Sequence, residues 1–178
     1  WFSLVKDCGW TKTCLYPTSE VSPYDSIQTS SEIVWGQLQV LSDILEVKED
    51  DNLAIIATER SLQPHLPPSE YLKSKCINLK VGDEIDVSKF SIKLSNSGYI
   101  KSKNIDQEGT WTRRGDILDI YPVSSELPIR LELFGDQLEK IKEFDPISQR
   151  SLDMIDNVCI TPNGFDPLII AKLLSSKH

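Results

Sequence analysis

Histidine is almost missing from this 178-residue chain, which carries only His65 and His178. Two histidines give poor odds for a Ser-His-Asp arrangement, and neither an H-E-x-x-H nor a G-x-S-x-G element occurs. The four cysteines, Cys8, Cys14, Cys76 and Cys159, are scattered with no C-x-x-C pair. That spacing gives no zinc site and reads as free thiols of a reducing, cytoplasmic compartment. A G-x-x-x-x-G-K-[ST] loop is lacking, as is an acidic motif after an apolar strand, so ATP has no cradle here. No apolar run approaches the ~18 residues that span a bilayer. Positive charge is also short, with 19 Lys and Arg against 27 Asp and Glu, a net charge of −8. Such acidity opposes broad non-specific binding to DNA or to anionic membrane. These absences predict a piece that is not itself an enzyme and that holds no cofactor or metal. The opening Trp1-Phe2, without Met or any signal-peptide pattern, reads as a start within a larger protein.

What is present is ordinary globular material, 39% hydrophobic and 26% charged. The first 28 or so residues are rich in turn formers, with Trp1 and Trp10 as packing anchors or exposed remnants of a truncated domain. Thr29-x-x-Glu32 has the form of a capping box. Val34, Leu38, Leu41 and Leu45 then recur at helical spacing and predict a helix over 31–47. Residues 53–57, Leu-Ala-Ile-Ile-Ala, suit a buried parallel strand, so helix and strand together suggest an α/β layer. His65-Leu66-Pro67-Pro68 reads as a linker, and 76–79 as a strand opening the next domain. The acidic run 83–86 precedes a predicted helix over 87–97 that turns Phe90 and Leu94 inward and stops at Gly98. Residues 99–105 are expected to be the first strand of a sheet, turning at 106–109 into the second. Near the end, 158–160 suit a short strand and 167–174 a terminal helix.

The centre of the chain is the stretch 109–144, which reads as a series of paired strands. Ile129, Leu131 and Leu133 alternate onto one face, leaving Arg130, Glu132 and Phe134 on the other. Gly135-Asp136 marks a two-residue hairpin turn. A regular return from that turn sets Glu132 opposite Glu139 and Arg130 opposite Ile141. Asp119, inside an apolar strand, is expected to be hydrogen-bonded structurally, and its opposite parity to Asp116 denies the two a common cleft. In 99–114, Lys101, Lys103, Arg113 and Arg114 form a basic island in an acidic chain.

Three sets of residues in this order carry a resemblance: G-T-W-T-R-R-G-D-I-L-D-I-Y-P from Gly109, L-P-I-R-L-E-L-F-G-D from Leu127, and F-D-P-I-S-Q-R-S from Phe144. Together they resemble the signature shared by two families of bacterial DNA-repair proteins, UvrB and the transcription-repair coupling factor (Mfd). The segments 15–17 and 23–25 and the ending Gln149-Arg150-Ser151 favour the coupling factor. The resemblance implies a partial helicase-like α/β layer over 1–76, then a small α+β domain with a mainly antiparallel sheet over 77–147. Residues 148–178 would begin the following domain. It further implies docking of UvrA, the damage-recognition ATPase, by a parent protein that uses ATP and Mg to translocate on double-stranded DNA and displaces stalled RNA polymerase. Carried over residue by residue, the docking set is Arg114, Arg130 and Glu132, with Lys101 standing where UvrB commonly has arginine. Thr112 departs from an arginine of UvrB, and Lys103 and Arg113 are additional candidates. As a surface group, Arg130 is expected to matter little for stability. Two other readings stay open: a DNA-contacting domain using Lys101, Lys103, Arg113 and Arg114, and an inactive fragment of a helicase lobe.

Overall fold

The computed structural model describes residues 2–18, 31–48, 50–62 and 68–165, which fall into two units divided between residues 74 and 75. In the first unit, α1 (Phe2–Lys6) is followed by β1 (Lys12–Leu15), α2 (Ser31–Glu46) and β2 (Leu53–Ile56). A 3-10 turn (Glu59–Leu62) and α3 (Ser69–Lys75) lead towards the second. β1 and β2 pair in parallel, Lys12 beside Leu53 and Leu15 beside Ile56. Leu38 and Leu41 of α2 are buried as its stripe requires, and Val34 and Leu45 are half-buried. The early residues therefore hold a helix and a strand where turns were expected, because four residues such as Lys-Thr-Cys-Leu are too few to show a period. The capping threonine, most of the linker and the terminal helix lie outside the described residues.

The second unit is built from β3 (Ile77–Lys80), α4 (Val87–Asn96) and the strands that follow. These are β4 (Ile100–Lys101), β5 (Thr110–Arg114), β6 (Ile117–Tyr121), β7 (Ile129–Phe134), β8 (Gln137–Phe144), β9 (Ser151–Ile155) and β10 (Asn157–Ile160). Six of them form one sheet in the order β4-β5-β6-β7-β8-β9, antiparallel except for β4 beside β5. β10 pairs antiparallel with β3.

α4 starts where it does because Asp86 caps it: its Oδ1 accepts from the Ser88 and Lys89 amides, each at 3.1 Å. At the other end Gly98 takes φ +89°, the left-handed value that only glycine adopts cheaply. Between the caps, Phe90 and Leu94 are buried against Leu118, Ile120, Ile129, Leu131, Leu138 and Ile141 of the sheet. Tyr99 closes this core, donating its hydroxyl to the Thr161 carbonyl at 2.8 Å and accepting from the Val123 amide at 3.4 Å. Burial pushes its ionisation far above the ordinary tyrosine range, so it remains a neutral donor.

Two expectations change. The strand over 99–105 shrinks to Ile100–Lys101 and runs parallel to β5, since the chain then leaves the sheet to insert Ile105 beside Tyr121 and Phe144. The boundary at 147/148 falls inside the sheet, because β9 pairs with β8. Ser-Leu-Asp-Met alternates over only four residues, and its apolar members Leu152 and Met154 are exposed rather than turned to a core.

Candidate functional site

One face of the six-stranded sheet packs on α4, and the pairing fixes what stands on the other. A first row runs from Arg114 on β5 through Ile117 on β6 and Glu132 on β7 to Lys140 on β8. The next row runs Thr112, Asp119, Arg130, Lys142 and then Met154 on β9. Farther along the same side, Ile105, Tyr121 and Phe144 form a small buried cluster that covers this end of the face. The loop 145–150 supports it through Gln149, whose side-chain amide donates to the Ile105 and Pro146 carbonyls.

The register differs from a regular hairpin. Next to the turn the pairing is as expected, but between Glu132 and Leu133 it shifts by one residue. Leu133 faces Leu138 while Glu132 faces Lys140, so the extra residue is Glu139 on β8. The cause is visible in the apolar spacing. Leu138, Ile141 and Phe144 are all fully buried yet three apart, and a strand of strict period two cannot turn both Leu138 and Ile141 inward. The bulge replaces the expected opposition of Glu132 and Glu139 with an attractive one, and it sets Arg130 opposite Lys142 rather than Ile141.

Local electrostatics follow from that register. Lys142 Nζ lies 2.6 Å from Glu132 Oε1, and Lys140 Nζ lies 4.0 Å from Oε2. Arg130 is not a free surface cation. Its Nε and Nη2 donate to the two oxygens of Asp119 at 2.7 and 3.0 Å, and its guanidinium sits 4.8 Å from the Phe144 ring centre. The Asp119 side chain is 3% exposed and that of Arg130 18%. The hydrogen bond to Asp119 holds the Arg130 guanidinium even further above neutrality than usual, against the opposing pull of burial. Asp119 is thus hydrogen-bonded structurally, and its partner is a residue read from sequence as a docking group.

The remaining candidates divide. Arg114 stands on the same face as Arg130 and Glu132, with Nη2 donating to the Lys103 carbonyl at 2.9 Å. Lys101 does not join them: it pairs with Trp111, which points to the α4 core, and its ammonium lies 5.4 Å from that ring. Arg113 has the same parity as Trp111 and donates to the Gly115 carbonyl at 2.9 Å. It therefore does not fill the place left by Thr112, which is itself buried. Lys103 meets this face through its backbone oxygen. Lys140, Lys142, Ile117 and Met154 were not singled out in the sequence. Of these, the bulge places Lys140 and Lys142, and only the three-residue spacing of Leu138 and Ile141 could have exposed it.

Among the described residues no cluster of His, Cys, Asp and Glu could hold a metal ion. Nor is any helix among them long and apolar enough to cross a membrane. The arrangement is a charged, partly apolar face.

Known proteins resemble the chain in the same region. The UvrB interaction domain family matches residues 77–164. A transcription-repair-coupling factor of Haemophilus influenzae is 32% identical over 149 residues, 84% of this chain and 13% of that protein. Proteins of the same name from Myxococcus xanthus and Staphylococcus haemolyticus are 31% and 33% identical over 146 residues, 82% of this chain and 12% of each. The chain spans about an eighth of the length of these relatives.

Proposed function

From the premise that this chain belongs to the UvrB interaction domain family, we propose that it is the UvrA-docking module of a transcription-repair coupling factor. The observation that supports this reading best is the face carrying Arg114, Arg130 and Glu132. Of the four residues carried over from the resemblance, Arg114, Arg130 and Glu132 stand on one side of the sheet, while α4 occupies the other. Charges held in place on such a face select a partner of complementary potential and penalise others. Lys101 and Arg113 belong to the opposite parity and lie outside this face.

In this reading the chain catalyses nothing. ATP, Mg, the translocating motor and the contacts to RNA polymerase and double-stranded DNA belong to the rest of a longer, cytoplasmic protein. Contact with DNA by this segment itself is the weaker reading, because Lys101 and Arg113 stand at the opposite parity to Arg114 and the chain is acidic.

The test is a calorimetric titration of the chain with UvrA from the same source. Saturable binding is expected, and Arg114→Glu should weaken it strongly while Lys89→Glu on α4 leaves it unchanged. Absence of saturable binding by the folded wild-type chain overturns the proposal.

A further inference from the structure

Lys140 and Lys142 add two cations to the face at the point where it would meet a partner. With Arg114 and Arg130 they make four positive groups against Asp119 and Glu132. The chain as a whole carries −8, so this surplus is local. The two carboxylates are already engaged: Asp119 holds Arg130 through both oxygens, and Glu132 holds Lys142 at 2.6 Å with Lys140 at 4.0 Å. Neither is left to attract a partner's cation. The uncompensated charges are Arg114 and Lys140, with Lys142 shared with Glu132, and the apolar Ile117 and Met154 are interleaved with them, 37% and 69% exposed.

We propose that Lys140 and Lys142 of β8 belong to the docking face, that Glu132 acts as a positioning residue holding Lys142, and that the face accepts an acidic patch of the partner protein. This rests on the docking role proposed above and specifies the partner's chemistry. A protein fits better than a nucleic acid for two reasons. Exposed aliphatic, thioether and aromatic side chains among the charges, Ile117, Met154 and Phe134, match a mixed protein surface. The acidity of the whole chain also repels a uniform polyanion.

Binding of UvrA would be measured for wild type, Lys140→Gln, Lys142→Gln, Lys142→Glu and Glu132→Gln at several salt concentrations, with melting temperatures alongside. Each Lys→Gln change is expected to weaken binding roughly tenfold and to flatten its salt dependence, with Lys142→Glu weaker still. Melting should change little, and Lys140, half exposed, provides the arm least coupled to folding. Glu132→Gln should bind within roughly threefold of wild type, because its amide oxygen still accepts from Lys142. If wild type binds and both Lys→Gln variants bind equally well, the lysine assignment is wrong while the docking role stands. Should wild type not bind, the docking role fails and this inference with it. If Glu132→Gln loses as much as Lys142→Gln, Glu132 is a direct contact rather than a positioning residue. Competition by duplex DNA that is abolished by the same Lys→Gln changes would overturn the protein partner.

Discussion

The residue that most changes meaning between sequence and structure is Arg130. As an alternating polar position on a strand it is read as a surface group, yet Asp119 beneath it is 3% exposed and depends on it for charge compensation. Truncating one member of such a pair leaves a desolvated charge alone, which costs about 3–5 kcal/mol. Arg130→Ala is therefore expected to destabilise the second unit by that amount in urea unfolding, far more than a surface change. Replacing both, as Asp119→Leu with Arg130→Met, should recover most of the loss, since a buried ion pair often adds little over an apolar pair of similar volume. If Arg130→Ala unfolds with a wild-type midpoint, the pair is not holding the sheet. Loss of UvrA binding in Arg130→Ala accordingly cannot stand as a docking result by itself, and Arg114 is the cleaner probe. Alternation showed which face Arg130 occupies, but a sequence in which Asp119 and Arg130 lie eleven residues apart does not announce their pairing.

At the scale of elements, α4 was legible almost to the residue because its signals are local. The acidic cap, the Phe90 and Leu94 spacing and Gly98 each act within one turn of chain. Strand β4 and the bulge in β8 were not legible, because both depend on what the rest of the sheet accepts. Two experiments address these elements. The Asp86 carboxyl is held below the usual range, first by the Lys89 amide and then by the other donors of the first turn. A depressed folded pKa means that its contribution is present above the unfolded value of about 3.9 and is lost as pH falls through the folded value. Asp86→Ala should lower the melting temperature at pH 7, and the gap to wild type should narrow on acidification below that range. A gap independent of pH would refute the charged cap. For β8, deleting Glu139 should be tolerated: Leu138 would still point inward, Lys140 outward and Ile141 inward, now without a bulge. A fold lost on that deletion would show that the bulge itself, rather than the phase of Leu138 and Ile141, is required.

At the scale of the whole molecule, the second unit has its own core and both termini of its sheet within residues 75–165. Residues 75–178 alone should consequently unfold in a single cooperative transition, as small single domains do, and should retain whatever affinity for UvrA the chain has. The first unit offers a two-stranded parallel pair, which ordinarily needs neighbours on both faces. The chain spans about an eighth of the length of its relatives. The central claim, that the sheet face opposite α4 is the docking surface, is open to one direct reading. Met154 is the sole methionine, and it lies on that face, as does Ile117. Ile92 lies exposed on α4. Methyl NMR of the chain titrated with UvrA should move the Met154 and Ile117 signals and leave that of Ile92 in place. Movement of Ile92 with Met154 and Ile117 unchanged would contradict the account.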